Sequence, residues 1–372
     1  AISLEKYCNG NCQLFHTYEN SFVFYLKDYR DKFALTEFCE EISDNLEALL
    51  SSERIGGGIG IVEINEKNDN DIEMILRNLM LASEKAAVNT GGDFNFCFYG
   101  TEMELQMKRE KEIERELFQI VDNKKPERFY MRFQPVLDLD TNRICGFEAL
   151  ARLESDIYGP VSPVEFIQIA EKTKLIIPLG YRIVRLALEF LSDLEKNGHQ
   201  GISVSINISI IQLLRNSFVK NLVSIIRDLH ISPGNVGLEL TESVFASSHQ
   251  EVNKVLSELR SYGISISLDD FGTGYSSLSR ERELKIDCLK IDQSFIGRLS
   301  LLDEAHAITG DIISMGHKLG HSVIAEGVEC EEQVQYLRNH GCDKVQGYLI
   351  SKPLDYDDAL RFVENQDRTV CN

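Results

Sequence analysis

Short apolar runs alternate with longer amphipathic segments beyond residue 128, and this alternation predicts the architecture of that region. Apolar residues that recur at three and four positions predict helices beginning near residues 163, 216, 249, 303 and 331. Repeated strand–helix units of this length predict an α/β fold, a (β/α)8-type barrel, with a doubly wound open sheet as the alternative. The eight predicted strands are residues 131–139, 144–152, 201–209, 235–243, 264–270, 288–295, 322–329 and 344–351.

A charged amphipathic segment separates this region from the first hundred residues. Residues 103–121 are rich in Glu, Lys, Leu and Met, with apolar residues at helical spacing, and "DNKKPE" then ends the pattern. We therefore predict an N-terminal α+β domain over residues 1–100, a helical linker over 101–126 and the barrel over 127–372.

Composition and charge narrow the classes of function. The 372 residues include 43% hydrophobic and 26% charged residues, as in globular proteins, and the net charge is −20. An acidic chain is not expected to bind nucleic-acid polymers, which require a basic surface. The nine cysteines lack zinc-type spacing, and no apolar run is long enough for a membrane span or signal peptide. We expect a cytoplasmic protein without membrane contact in this chain, or the cytoplasmic part of a longer, membrane-anchored one.

Polar residues follow most of the predicted strands. Single polar residues at strand ends are usually caps or turn residues, and adjacent aspartates followed by glycine, as in "LDDFGTG", are ordinary in turns. In a β/α barrel, however, the strand ends converge on one mouth, where several carboxylates would repel one another unless they bound divalent metal. The strand-end residues are Glu148, Asn207, Glu239, Glu242, Asp269, Asp270, Lys290, Glu326 and Gln346.

Seven motifs in this order resemble those of a known family. They are "FEALAR", "INIS", "LELTES", "LDDFGTGYSSL", "LKIDQSF", "VIAEGVE" and "QGYLISKP". Together they are similar to EAL-domain phosphodiesterases, and the resemblance extends from Arg128 to the end of the chain. It implies metal-assisted hydrolysis of cyclic di-GMP to the linear dinucleotide pGpG.

The resemblance also implies roles for individual residues. The residues that match metal ligands are Glu148, Asn207, Glu239, Asp269 and Asp270, with Asp269 bridging two ions. The residues that match catalytic positions are Glu326, as a base or water organiser, Lys290, which contacts the attacking water, and Glu242, which steadies the loop after Asp270. The residues that match substrate-binding positions are Gln134, Arg152 and Gln346. One departure is Leu153, which stands where the family often has Trp and is expected to alter the packing of guanine.

Cofactors and partners follow from the same resemblance. It implies two Mg²⁺ or Mn²⁺ ions, inhibition by Ca²⁺, cyclic di-GMP as the ligand and a homodimer formed through the barrel, with residues 276–287 as a candidate contact. A solvated helix is an equally good interpretation of that segment.

The first hundred residues are similar to the later part of a GGDEF domain. "TGGDFNF" at residues 90–96 resembles the signature, but it lies too late in the chain; "YENSF" at residues 18–22 stands in the expected hairpin. Both glycines and the acidic pair are then lost, so we expect an N-terminally truncated, degenerate and inactive domain with a regulatory role. The alternative is a hydrophobic strand pair without a site. "IGGGIGI" lacks the third glycine of a dinucleotide-binding loop.

Three functions remain open from the sequence. An active cyclic di-GMP phosphodiesterase is favoured because every implied ligand position holds the family's residue. A non-catalytic cyclic di-GMP receptor is the alternative, and a scaffold for partner proteins is the third.

Overall fold

The computed structural model describes residues 2–18, 21–50, 56–64, 71–88, 94–242, 244, 248–272, 284–299 and 308–370. The chain divides into two compact units, Ala1–Arg109 and Glu110–Asn372. No helix in these described ranges combines the length and the apolar character needed to cross a membrane.

The first unit contains a hairpin and a strand–helix–strand motif. Strands β1 and β2 pair antiparallel, which confirms the hairpin expected around residues 18–22, although residues 19 and 20 lie outside the described part. Strands β3 and β4 pair in parallel, with helix α3 between them in sequence. The elements of this unit are α1 (Ile2–Glu5), β1 (Cys12–Tyr18), β2 (Ser21–Leu26), α2 (Lys32–Leu50), β3 (Gly57–Ile61), α3 (Ile72–Val88) and β4 (Phe94–Phe98).

Two glycines of β3 allow α3 to pack directly on the strand. A Cβ atom on Gly58 would lie 1.8 Å from the carbonyl oxygen of Ser83, and one on Gly60 would lie 2.1 Å from that of Leu79. The Ser83 hydroxyl also donates a hydrogen bond of 2.9 Å to the Gly58 carbonyl. Close helix–strand packing therefore accounts for the glycines of "IGGGIGI". In "TGGDFNF", residues 94–96 lie in β4, and residues 90–93 lie outside the described residues.

Helix α4 (Thr101–Val121) begins in the first unit and ends in the second, close to the bounds predicted from the sequence. Its residues Ile113, Leu117 and Ile120 are fully buried in the core of the second unit. The compact units therefore divide within this helix, because its C-terminal half is an integral part of the barrel unit. A short 3-10 turn (Pro126–Arg128) then leads into the barrel.

Eight strands of the second unit form a closed barrel, in the order β5-β13-β12-β11-β10-β9-β8-β6, and β5 pairs with β6 to close it. The closure confirms the predicted barrel and excludes the open sheet. Strand β5 is antiparallel to both neighbours, whereas the other barrel pairs are parallel. The strands are β5 (Phe129–Asp138), β6 (Arg143–Ser155), β8 (Ser203–Asn207), β9 (Val236–Thr241), β10 (Ser265–Phe271), β11 (Cys288–Ile291), β12 (Ser322–Ala325) and β13 (Lys344–Val345), with β7 (Gly159–Val161) added to β6 outside the barrel.

Helices pack their apolar faces against the outside of this barrel. Phe190 of α6 stacks on Phe133 of β5, with ring centroids 3.7 Å apart, and Tyr356 of α13 contacts both rings edge-on. The helices are α5 (Pro163–Lys172), α6 (Ile176–Lys196), α7 (Ile210–Leu213), α8 (Phe218–Asp228), α9 (His249–Ser261), α10 (Gln293–Ile296), α11 (Thr309–Leu319), α12 (Glu331–Asn339) and α13 (Tyr356–Val370).

Three predicted strands extend four or more residues beyond the observed C-terminal ends. The strand predicted over residues 288–295 ends at Ile291, because the Asp292 carboxylate accepts a hydrogen bond from the Ser294 amide and caps α10. The strand predicted over residues 322–329 ends at Ala325. The one predicted over residues 344–351 contains only Lys344 and Val345. The chain then turns at Gly347, where a Cβ atom would lie 2.1 Å from the Val328 carbonyl oxygen.

Candidate functional site

The mouth of the barrel gathers the acidic residues that the sequence placed at strand ends. Two groups of carboxylates have ligand oxygens within 4.8 Å of one another, and Asp269 belongs to both. The first group is Glu148, Glu239 and Asp269, and the second is Asp269, Asp270 and Glu326. These residues come from or directly follow strands β6, β9, β10 and β12, so only closure of the barrel brings them together.

A β-bulge explains how two adjacent aspartates reach one cluster. The pairing of β10 with β11 shifts register between Leu268 and Phe271, and Asp270 has a φ angle of 57°. Adjacent side chains of a regular strand point to opposite faces of the sheet. The bulge and the left-handed conformation of Asp270 redirect its carboxylate toward the oxygens of Asp269 and Glu326. The pair is therefore part of the site and not a solvated turn.

Lys290 lies at the centre of the cluster and is only 1% exposed. Its Nζ atom is 2.6 Å from Glu239 Oε2 and 2.6 Å from Glu326 Oε1. Asp269 Oδ1 is 3.4 Å away and Glu148 Oε2 is 3.5 Å away. Burial alone would lower the pKa of Lys290, but the attraction of the surrounding carboxylates raises it well above its ordinary value. The lysine therefore stays charged at neutral pH.

The pKa values of the carboxyl groups around Lys290 are shifted in different directions. Burial opposes the ionisation of Glu148, yet Lys290 and hydrogen bonds from Gln346 and Asn207 bring its pKa below the ordinary value. Burial raises the pKa of Glu239 well above its ordinary value despite the contact with Lys290, and neighbouring carboxylates raise it further.

Glu326 and Asp270 also resist ionisation. Burial, with repulsion from Asp269 and Glu148, raises the pKa of Glu326 to about 8, although Lys290 opposes the shift. Burial and then repulsion from Asp269 raise the pKa of Asp270. Four carboxylates pair with a single ammonium group and Asp270 lies beside two of them, so the cluster lacks positive charge when all five are ionised.

The donor set of this cluster fits a divalent cation. The two groups offer carboxylate oxygens, the type of ligand that Mg²⁺, Mn²⁺ and Ca²⁺ prefer, and the missing positive charge is what such ions would supply. The buried acidic cluster can therefore hold metal.

The side-chain amides of Gln346 and Asn207 hold Glu148 in place, and Gln134 in turn accepts a hydrogen bond from Gln346. Gln346 Nε2 donates to Glu148 Oε2 at 2.7 Å and to Gln134 Oε1 at 3.1 Å. Gln134 Nε2 donates to the Ser351 carbonyl at 3.3 Å, and Asn207 Nδ2 donates to Glu148 Oε1 at 2.7 Å. Gln346 is thus engaged with a candidate metal ligand and Gln134 with Gln346, and their predicted contact with substrate stays a prediction.

The other predicted residues lie around this centre. Glu242 Oε1 accepts a hydrogen bond of 2.8 Å from the Gly272 amide, so it holds the turn after Asp270 and not the cluster. Arg152 lies on β6, four residues after Glu148 and on the same face of the strand, and its guanidinium donates to the Ala151 carbonyl. Leu153 is 2% exposed and packs in the hydrophobic core, and its expected effect on the packing of guanine stays a prediction.

A buried polar residue beside the site was not singled out from the sequence. Gln333, on α12, is 5% exposed and hydrogen-bonds to the segments that follow β11 and β12. The only signal in the sequence is its position three residues after Cys330, where a capping box would place Gln, and cysteine at the N-cap obscures that pattern.

Comparison with known proteins identifies the family. Residues 115–353 match the sequence model of the EAL domain.

The chain belongs to the EAL domain family.

Two curated relatives of this EAL domain come from Pseudomonas aeruginosa. One, named a cyclic di-GMP phosphodiesterase, is 37% identical over 228 residues, which cover 61% of this chain and 39% of the relative. The other, the cyclic di-GMP phosphodiesterase NbdA, is 32% identical over 293 residues, which cover 79% of this chain and 37% of the relative. The chain therefore spans less than half the length of these curated relatives.

Solved structures resemble the EAL barrel as well. The PaMucR phosphodiesterase in complex with c-di-GMP is similar with a TM-score of 0.62 and 30% identity, over 66% of this chain and 99% of that one. The EAL enzyme Bd1971, in its cAMP- and cyclic-di-GMP-bound form, is similar with a TM-score of 0.65 and 30% identity, over 80% of this chain and 77% of that one.

Proposed function

We propose that this chain hydrolyses cyclic di-GMP to linear pGpG in a reaction that requires divalent metal. The observation that carries the proposal is the cluster of five carboxylates at the barrel mouth, four of which pair with the buried Lys290. The relatives named as cyclic di-GMP phosphodiesterases and the neighbouring structure with bound c-di-GMP support cyclic di-GMP as the substrate.

Two Mg²⁺ or Mn²⁺ ions are the proposed cofactors. The residues that would hold them are Glu148, Asn207, Glu239, Asp269 and Asp270, with Asp269 shared because it belongs to both carboxylate groups. When bound, such ions polarise phosphoryl oxygens and lower the pKa of water. We expect Ca²⁺ to bind the same oxygens and to inhibit, because its larger and more flexible coordination differs from that of Mg²⁺.

Lys290 and Glu326 have complementary roles in this proposal. Because Lys290 stays protonated, it stabilises negative charge that develops on the phosphoryl group and does not act as a base. Glu326 has a pKa raised to about 8, close to neutral, so its carboxylate is suited to accept the proton of the attacking water. The water oxygen forms a bond to phosphorus, the bond to the 3′ oxygen breaks, and that oxygen leaves as a hydroxyl group.

Arg152, Gln134 and Gln346 are proposed to face the substrate. The Arg152 guanidinium lies further along the same face of β6 as Glu148 and is suited to a phosphate oxygen. Gln346 Oε1 is buried and has no hydrogen-bond partner within the described chain, so it is placed to accept a hydrogen bond from a ligand or a water molecule. Glu242 acts indirectly by holding the turn at Gly272.

We further propose that residues 1–100 form a degenerate, inactive GGDEF-like domain with a regulatory role. The β1–β2 hairpin and the β3–α3–β4 motif follow the expected order of elements. A homodimer through the barrel also remains a proposal, since most of its candidate contact, residues 276–287, lies outside the described residues.

A hydrolysis assay with the purified chain tests the proposed activity. Cyclic di-GMP is incubated with Mg²⁺, Mn²⁺, Ca²⁺ or EDTA, and the products are separated and identified. We expect pGpG with the first two ions only. The Glu148→Gln variant, which keeps the side-chain shape, should be inactive, whereas Glu258→Gln on the exposed face of α9 should match the wild type. Binding of cyclic di-GMP without turnover would favour a receptor and overturn the proposal.

A further inference from the structure

The segments that carry Lys290 and Glu326 lie side by side at the barrel mouth. Strands β11 and β12 pair in parallel, with Ile291 opposite Ala325, and the Glu326 amide donates to the Ile291 carbonyl at 3.0 Å. Beyond this point both segments leave the sheet. Strand pairing therefore does not fix the Glu326 side chain, whose Oε1 lies 2.6 Å from Lys290 Nζ.

Gln333 connects the two segments just beyond the sheet. Its Oε1 accepts hydrogen bonds from the amides of Glu329 and Cys330, at 2.7 and 3.2 Å, in the segment that follows Glu326. Its Nε2 donates a hydrogen bond of 3.1 Å to the carbonyl of Ile296, in helix α10 that follows Lys290. The side chain is 5% exposed, so these hydrogen bonds are formed away from solvent, where a lost partner is costly.

A close backbone approach makes the same junction rigid. Gly327, the residue after Glu326, has a φ angle of 70°, and a Cβ atom there would lie 2.4 Å from Cβ of Gln293 on α10. The turn that carries Glu326 is therefore pressed against α10 on one side, while the Gln333 amide holds it on the other.

We propose that Gln333 is a positioning residue for the reaction, acting through Glu326. A helix cap alone requires only Oε1, which bonds to the amides at the start of α12. The hydrogen bond from Nε2 to Ile296 is not part of the cap. It ties the Glu326 segment to the helix that follows Lys290, and so it sets the Lys290–Glu326 geometry. This inference rests on the proposed phosphodiesterase activity.

The Gln333→Glu variant separates these two contributions. It keeps an acceptor for the cap but loses the donor, and it places a carboxylate oxygen against the Ile296 carbonyl. We expect kcat for cyclic di-GMP to fall roughly tenfold or more, with KM changed by less than about threefold, because misplacement of a reacting group mainly affects the chemical step. Gln333→Met has a similar volume and no charge, and it should likewise lower kcat with little change in KM. This variant replaces Gln333→Glu in the assay if Gln333→Glu does not fold.

The matched control is Gln335→Glu, an identical change on the exposed face of α12. Among the described residues its side chain hydrogen-bonds to Asn339 Oδ1 in the same helix, at 2.9 Å, so both kinetic constants should stay at the wild-type value.

A double-mutant cycle with Glu326→Gln provides the decisive readout. If Gln333 acts through Glu326, substituting Gln333 in the Glu326→Gln background should lower kcat by less than about twofold. The inference would be overturned if the two substitutions lowered kcat independently, so that their effects multiplied in the double mutant. An unchanged kcat in the single Gln333 variants, or a rise in their KM alone, would also overturn it. A wild-type chain without turnover would overturn the proposed function and this inference together, whereas wild-type turnover with an unaffected Gln333 variant overturns only the inference.

Discussion

Replacing Glu326 by Gln should stabilise the metal-free protein at high pH while slowing turnover of the metal-loaded protein. In the unfolded chain this carboxyl group ionises near pH 4.5, whereas burial and its neighbours raise its pKa to about 8 in the folded protein. The folded state therefore binds the proton more tightly, and the stability that this group contributes falls as pH rises from 4.5 to about 8. The amide of Gln has no such proton to lose.

The magnitude follows from the difference between these two pKa values. At about 1.4 kcal/mol per pH unit, ionised Glu326 lowers the free energy of unfolding by about 5 kcal/mol above pH 8. The side chain is 19% exposed, so solvent screening removes only part of this value. Glu326→Gln should accordingly gain up to about 5 kcal/mol over the wild type at pH 9, and little or nothing at pH 5.

Urea unfolding in EDTA, measured from pH 5 to pH 9, tests this reasoning. The quantity of interest is the difference in unfolding free energy between variant and wild type, because titrating groups that do not interact with residue 326 cancel in it. The exposed Glu258→Gln change should show no such pH trend. A difference that stays flat with pH, or a variant less stable than wild type at pH 9, would refute the electrostatic argument. With Mg²⁺ added, we expect the same variant to bind cyclic di-GMP and to lose about 100-fold or more in kcat.

Three further predictions test other parts of the molecule. Glu148→Ala should weaken Mn²⁺ binding in calorimetry and abolish turnover, and wild-type activity at low metal would contradict its assignment as a ligand. Arg152→Ala should raise KM for cyclic di-GMP about tenfold or more with the melting temperature nearly unchanged, since it removes a charged contact to phosphate; an unchanged KM would remove Arg152 from the substrate site. Gly60→Ala should destabilise the first unit, because its Cβ would lie 2.1 Å from the Leu79 carbonyl oxygen; proteolysis of that unit measures the loss, and a wild-type rate would contradict it.

Much of the second unit could be predicted from local patterns. The number and order of the barrel strands, and helices starting at Pro163, His249 and Glu331, agree with the structure. Strand lengths were less predictable, since the ends of β11 and β13 depend on a helix cap at Asp292 and on the backbone contact of Gly347 with Val328. Apolar residues continue past both ends, so the hydrophobic pattern alone could not reveal them.

The site, like the fold, was only partly predictable from the sequence. The sequence pointed to the carboxylates and Lys290, because those residue types stand at the ends of strands that a barrel brings together. It did not predict that Lys290 pairs with four of the carboxylates, or that Gln346 donates hydrogen bonds to both Glu148 and Gln134. Those contacts join residues up to 212 positions apart.

The sequence by itself determined the family, the alternation of strands and helices, and the set of ionisable residues, because hydrophobic periodicity and residue chemistry are local properties of a chain. Only the tertiary structure decided which carboxylates pair with Lys290, that a bulge turns Asp270 beside Asp269, and that α4 belongs partly to the barrel unit. These features depend on distances across the closed barrel and on burial, and both arise only when segments distant in sequence pack together.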